Sequence, residues 1–304
     1  MELDIRKVSE NVYLVDLNPP IEEFENFIAS YIVIGDQVAI IETGPSSSIG
    51  TLLKALESLS IDFSKVSYVA LTHIHIDHGG GSGKLLRDLP NARLVTHEVG
   101  APHMANPRRL TESTVKVLGE LAKKYGEIEP VPADRIIVGR DGLTLNLGGG
   151  VELEVLEAPG HAPHHLCFFN RKTGELWLGE AGGVYLEDLG ILRPSTPAPG
   201  FDYAKNLETI DKLLALNPKT LYYTHFGVAN NPENLKIYKE KLNMWLRIVS
   251  EGYQENRSPE EILQRIVGED PELEKLLTIK REKFFLLSNI NGIIHYLRKR
   301  ETRK

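Results

Sequence analysis

Four metal-competent side chains fall within six residues, His73-Ile74-His75-Ile76-Asp77-His78, directly after the apolar run Val66 to Leu71. A run of that length and composition reads as a strand, so the four groups sit where a strand ends. Two histidines one residue apart on an extended segment can converge on a single ion. Asp77 and His78, beyond the following turn, face a second position nearby. Imidazole and carboxylate without thiolate suit zinc, iron or manganese. Gly79, Gly80 and Gly81 let the backbone turn tightly beneath. A solvated histidine-rich loop is the alternative, but ten histidines scattered over 304 residues do not cluster this way by chance. The fold must therefore be one that carries a site on the ends of sheet strands.

The rest of the chain supplies such a sheet. Asn11 to Asp16, Ser30 to Ile34 and Gln37 to Ile41 are β-rich, the last two joined by a turn at Gly35-Asp36. Leu52, Leu53, Leu56 and Leu59 share one helical face after Ser46 to Ser48, which offer helix caps. Strands return at 135–138, 143–147 and 151–157, with Gly148-Gly149-Gly150 as a turn, and again at 176–178 and 221–224. A helix around 203–216 separates the last two. The early hairpin argues against a purely parallel, doubly wound sheet. Residues 98–130 interrupt the pattern with Pro102, Pro107 and a helical stretch over 111–125 carrying Val115, Leu118 and Leu121. Beyond Pro232 strand signals stop. Leu235, Tyr238, Leu242, Trp245 and Val249 have helical spacing, as do Leu286, Ile290, Ile293 and Leu297, and Ser258-Pro259-Glu260-Glu261 predicts a capping box.

The segment at 73–78 resembles the H-x-H-x-D-H signature of the metallo-β-lactamase superfamily, particularly its glyoxalase II-like and lactonase-like hydrolases. The resemblance extends in order over most of residues 10–230. Ile40-Ile41-Glu42-Thr43-Gly44 is similar to the early I-D-T-G turn, and Pro159-Gly160-His161 with His165 to the P-G-H stretch. Leu178-Gly179-Glu180 stands where the family has G-D, and Thr224-His225 supplies the terminal histidine. The resemblance implies His73, His75 and His161 around one ion, Asp77, His78 and His225 around a second, and Glu180 between them. It also implies an α+β fold, the four-layer αββα sandwich, over residues 1–230, with 231–304 as a helical extension packed on it. Two divalent ions, zinc first and iron or an iron–zinc pair next, would provide a metal-bound hydroxide for hydrolysis of a thioester, lactone or other activated ester. Asp77 would orient that hydroxide or accept its proton, and Tyr185 could hydrogen-bond the oxyanion, although a packed aromatic is the plainer role for it.

The sequence departs from the family in two places. Glu42 and Glu180 are one methylene longer than the usual aspartates, so Glu180 could bridge two ions or bind one. Glu42 reads as a turn-stabilising or supporting carboxylate rather than a ligand. Residues 98–130 form a longer connection than usual, a lid or an interface, which leaves a homodimer open. His165 reads as a partner of a ligand, His164 has no assigned role, and His97, His103 and His295 are structural or superficial.

Composition narrows the alternatives. A net charge of −7, concentrated in residues 1–230, disfavours nucleic acid as a partner, and no apolar run is long enough to span a membrane. The C-terminal quarter is net basic. Its final RKRETRK reads as a helix end complementing the helix dipole, with recognition of an anionic small-molecule substrate as the alternative. A single cysteine, Cys167, and an N-terminus without signal-peptide character point to the cytoplasm. Competing functions are a mononuclear iron enzyme of the persulfide dioxygenase type, a phosphodiesterase, and a non-catalytic metal-binding module. A flavodiiron oxidoreductase is set aside because no flavodoxin-like domain follows.

Overall fold

The computed structural model describes residues 3–302. Fifteen strands form two large sheets and a short ribbon. The first sheet takes its strands in chain order: β1 (Ile5–Ser9), β2 (Val12–Asp16), β3 (Ala29–Ile34), β4 (Val38–Ile41), β5 (Val66–Ala70), β6 (Arg93–His97) and β7 (Ile136–Gly139). β1 to β4 run antiparallel and β4 to β7 parallel, so the sheet is mixed, as the early hairpin requires. The second sheet contains β8 (Thr144–Asn146), β9 (Glu152–Glu157), β10 (Leu166–Asn170), β11 (Glu175–Gly179), β14 (Thr220–Tyr223) and β15 (Gly227–Ala229). β12 (Val184–Leu186) and β13 (Ile191–Arg193) make the ribbon.

Alternation along the strands sorts side chains into layers. Tyr31, Val33, Ala39 and Ile41 face the second sheet and meet Leu153, Val155, Phe168 and Trp177 in a core between the sheets. Ile32, Val38 and Ile40 face the other way, onto Leu52 and Leu56 of α1 (Ile49–Ser58) and Leu85 of α3 (Ser82–Asp88). Between those helices lies α2, the single turn Ile76–Gly79. On the outer face of the second sheet, Cys167, Leu176 and Leu178 pack beneath α7 (Tyr203–Ala215) and α8 (Glu233–Gln254). Helix, sheet, sheet and helix stack as the four-layer sandwich. Truncating a leucine such as Leu56, buried without exposure, costs about 2–5 kcal/mol.

Some local expectations change. The helical stretch at 111–125 is two helices, α5 (Arg108–Leu118) and α6 (Glu120–Tyr125), because Gly119 takes a positive φ of 56° between them. A short α4 (Ala101–Ala105) precedes them. Ser46 to Ser48 form a 3₁₀ turn, and Ser48 makes no side-chain cap on α1. The capping box at Ser258 and Glu261 opens α9 (Pro259–Glu269) as expected. After a 3₁₀ segment at Pro271–Thr278, α10 (Lys280–Glu301) returns along α8 and α9. Arg298, Lys299 and Arg300 occupy its last turn, where cations suit the dipole. Arg303 and Lys304 of the basic tail lie outside the described residues. Among the described residues, no helix is long and apolar enough to cross a membrane.

Candidate metal centre

β5 delivers the first motif to the edge where the two sheets meet. Beyond Ala70 the chain runs extended through Thr72 and His73, and the Thr72 carbonyl accepts a 2.6 Å bond from the Leu166 N–H of the second sheet. His75 then caps α2, placing Asp77 and His78 on its one turn. The turn after β4 clamps this helix: the N–H groups of Thr43 and Gly44 both donate to the His78 carbonyl at 2.9 Å. His161 arrives on the loop after β9, Glu180 directly after β11, and His225 directly after β14.

Glu180 depends on a glycine. Gly179 has φ +53°, and a Cβ there would lie 2.6 Å from Thr72 Oγ1 and 2.8 Å from His165 Nε2. Only a residue without a side chain lets β11 end so close to the first motif.

These arrivals bring seven side chains into two groups. His73, His75, His161 and Glu180 offer one ligand atom each to a common point, as do Asp77, His78 and His225. Glu180 Oε2 lies between the groups, 3.1 Å from the Nε2 atoms of His78 and His161, 3.4 Å from that of His73 and 4.0 Å from that of His225. Asp77 Oδ2 is 3.4 Å from His225 Nε2. One carboxylate oxygen thus faces four imidazoles.

Hydrogen bonds on the outer side set the imidazole tautomers. His225 Nδ1 donates to the Phe27 carbonyl at 2.8 Å, and His161 Nδ1 to the Ser195 carbonyl at 3.2 Å. Thr72 donates its hydroxyl to Glu42 Oε1, so it can accept from His73 Nδ1 at 3.1 Å. A neutral imidazole that donates through Nδ1 presents a lone pair at Nε2. All three lone pairs point inward, the arrangement that metal-ligating histidines need.

For His73, His75 and His161 titration favours the same state. Burial, together with the neighbouring His161, pulls His75 down to about 4, and burial likewise lowers His73 and His161. Asp77 is held at about 2: burial opposes ionisation, but His78 and His225 outweigh it. Glu180 lies well below the usual carboxylate range, because the surrounding histidines overcome its burial. His78 is raised against its burial by Glu42, Asp77 and Glu180. Among the described residues, the ion-pair partners of Asp77 and Glu180 are histidines alone. Buried carboxylates without Lys or Arg call for a cation. The donor set, nitrogen and carboxylate oxygen without sulfur, fits zinc or iron.

Glu42 acts from behind. Its Oε1 accepts from the backbone and hydroxyl of Thr72 and from the Thr224 hydroxyl, and lies 3.5 Å from His78 Nδ1. It is fully buried with a positive φ of 68°, a conformation costing about 1–3 kcal/mol that persists where surroundings enforce it. His165 accepts from the Glu180 N–H at 3.2 Å, so it supports that residue's backbone.

Above the clusters lies a cavity of about 390 Å³, lined by His75, Asp77, His161 and Glu180 at its base. Leu110, Val117 and Leu118 of α5, with His103, form one wall, and Phe285, Ser288 and Asn289 of α10 another. His103 is therefore a wall residue and not merely superficial, whereas His295 is exposed. His164 also faces the cavity, beside His75. Tyr185 does not line it. Its ring packs on Tyr223, in keeping with the plainer packed-aromatic role, while its backbone N–H donates to the His225 carbonyl at 2.8 Å. Ser195, Asn289, Phe27 and Tyr125 are participants that the sequence reading missed. No motif marks them, because each reaches the site from a loop or helix whose place only the fold determines.

A family model described as the metallo-beta-lactamase superfamily matches residues 25–225. A metallo-beta-lactamase fold-containing protein of Sulfurisphaera tokodaii is 30% identical over 232 residues, which cover 74% of this chain and 80% of that protein. A hydroxyacylglutathione hydrolase of Aeromonas hydrophila is 26% identical over 65% of each chain. Among solved structures, a metallo-beta-lactamase family protein from Thermus thermophilus aligns over 97% of this chain and 95% of its own with a TM-score of 0.71. At 22% identity, that likeness concerns the fold.

Proposed function

The chain belongs to the metallo-beta-lactamase superfamily, generally hydrolytic metalloenzymes, and on that premise we propose that it hydrolyses an uncharged activated ester, a lactone or thioester, with two divalent cations. His73, His75 and His161 would hold one, Asp77, His78 and His225 the other, and Glu180 would join them. The observation that carries this reading is the position of Glu180 Oε2 between two complete groups of donors. Metal identity and number separate this reading from a one-ion iron dioxygenase. The chemistry such cations supply when bound is polarisation of a carbonyl and acidification of water towards neutral pH.

The protein's own residues do the rest. Asp77, ionised at about 2 and facing the cavity, orients a water by accepting its hydrogen bond. A substrate seated against the apolar walls would displace solvent from the base, which strengthens every charge interaction there. No Lys or Arg lines the cavity among the described residues. The two carboxylates of a glutathione thioester would find no cation there, so an uncharged acyl compound fits better than the anionic substrate that the basic C-terminus suggested. The same lining offers a phosphodiester no Lys or Arg beside the cations themselves. We place the enzyme in the cytoplasm, acting on a small molecule.

The test is metal analysis of protein purified without added metal. Turnover is then measured on neutral lactones and thioesters, a glutathione thioester and a phosphodiester. Two ions per chain and a preference for the neutral esters are expected. Saturation at one ion, or preference for the phosphodiester, would overturn the reading.

A further inference from the structure

We propose that Ser195 is a positioning residue that adapts this site to a glutamate at position 180, and that α10 holds it in place. The proposal rests on the two-cation reading above. Ser195 donates its hydroxyl to Glu180 Oε1 at 2.5 Å, and both side chains are buried. That bond occupies one carboxylate oxygen and leaves Oε2 as the atom facing the four imidazoles. Without it, the extra methylene of a glutamate adds a rotatable bond, and nothing else among its described hydrogen bonds restrains Oε1. A flexible carboxylate loses more entropy on joining two ions than a fixed one.

The serine is itself fixed from the C-terminal extension. Asn289 of α10 accepts from the Thr196 N–H at 2.8 Å, donates to the Pro194 carbonyl at 3.0 Å, and offers its own carbonyl to the Thr196 hydroxyl at 2.8 Å. Three bonds from one helical residue thus bracket Ser195 on both sides. The helix comes this close only because residue 292 is glycine: a Cβ there would collide with the Thr196 carbonyl oxygen. Ser195 also touches the site through its backbone, whose carbonyl accepts from His161 Nδ1. Replacement by alanine keeps that second contact and removes only the arm to Glu180.

This division makes the role separable. Cobalt binding to the full-length chain is measured by competition with a chromophoric chelator, with the visible spectrum of the bound cobalt as a second readout. Ser195→Ala should weaken binding by roughly 10- to 100-fold, the usual effect of losing an outer partner of a metal ligand, and alter the cobalt spectrum. Ser195→Thr, which keeps the hydroxyl, should restore both. In a Glu180→Asp background, where the carboxylate is about 1.5 Å shorter and no longer reaches the serine, the same alanine change should cost less than about twofold. Wild-type cobalt affinity in Ser195→Ala, or an equal loss in both backgrounds, would overturn the proposal while leaving the two-cation reading intact. A wild-type chain that takes up no cobalt would overturn that reading and this one with it.

Discussion

The floor of the cavity is carried by strand ends and its walls by helices, and the two differ in how their side chains are held. Each floor histidine of known tautomer is pinned by a hydrogen bond to backbone or to a buried hydroxyl. The α5 wall has no fully buried residue, and Val117 is 55% exposed. The α10 wall lies between these extremes. Its outer residues, such as Phe284, are exposed, but Asn289 and Arg281 are tied into the floor, Arg281 lying 3.9 Å over the Phe27 ring that stacks on His225. Rigidity thus falls with distance from the donors: the floor must hold charge at fixed spacing, and the walls need only match a substrate's shape.

The largest effect should come from the floor. His161→Ala leaves two nitrogens where three converged, and turnover and affinity for the first ion should both fall by more than roughly 100-fold, beyond what an outer partner is worth. His295→Ala, on the exposed face of α10, should change neither. Equal behaviour of the two variants, measured by metal analysis and initial rates, would erase the distinction between floor and surface.

Next is the joint between floor and wall. Arg193 and Glu282 form a buried pair at 2.6 Å, and Arg281 adds a second contact to Glu282 at 3.0 Å. Burial pushes the Glu282 carboxyl up, but the two arginines outweigh it and hold it below the ordinary range. Its folded-state value is depressed, so its contribution to stability is full above the unfolded-state value of about 4.3. That contribution is lost as pH falls through the folded value. Glu282→Gln strands Arg193 and should cost about 3–5 kcal/mol at neutral pH in denaturant unfolding. The difference from wild type should shrink in acid. A pH-independent difference would mean that packing, not charge, holds α10 to the body.

How far the sequence revealed this molecule follows the same division. The floor was legible because donors at strand ends make a short-range pattern, and because β-rich runs at 30–34 and 37–41 flank a Gly35-Asp36 turn. β10 escaped notice: Leu166 to Asn170 is buried at every position and does not alternate. β6 escaped although Pro90-Asn91 makes a turn directly before it. The wall was legible only as amphipathic helices needing a partner. Which residue of α10 would reach Ser195 depends on a crossing set by Gly292, and spacing carries no trace of that.

Wall substitutions should act on substrate and spare metal. Val117→Asp places a carboxylate in the apolar wall of the cavity. It should raise KM for neutral esters by roughly 10-fold or more, the scale of a pocket contact worth about 1–3 kcal/mol, with metal content unchanged. Loss of metal instead would show that α5 supports the floor as α10 does.

The smallest effects separate two tyrosines. Tyr125, at the end of α6, lines the cavity, and its hydroxyl is buried without a partner. Burial, and then the charge of Asp77, keep that hydroxyl protonated, so it is a donor without an acceptor until a substrate oxygen arrives. Tyr125→Phe should therefore lower kcat/KM by roughly two- to tenfold, the worth of one hydrogen bond, at wild-type metal content. Tyr185 offers the contrast. Its hydroxyl is raised by burial and by Glu187, but it stands outside the cavity, and its tie to His225 runs through the backbone, which a phenylalanine keeps. Tyr185→Phe should leave kcat, KM and metal content within about twofold, as surface changes usually do. A tenfold fall in kcat for Tyr185→Phe, with Tyr125→Phe unaffected, would return the oxyanion contact to Tyr185 and move the catalytic wall from α6 to the β12–β13 ribbon.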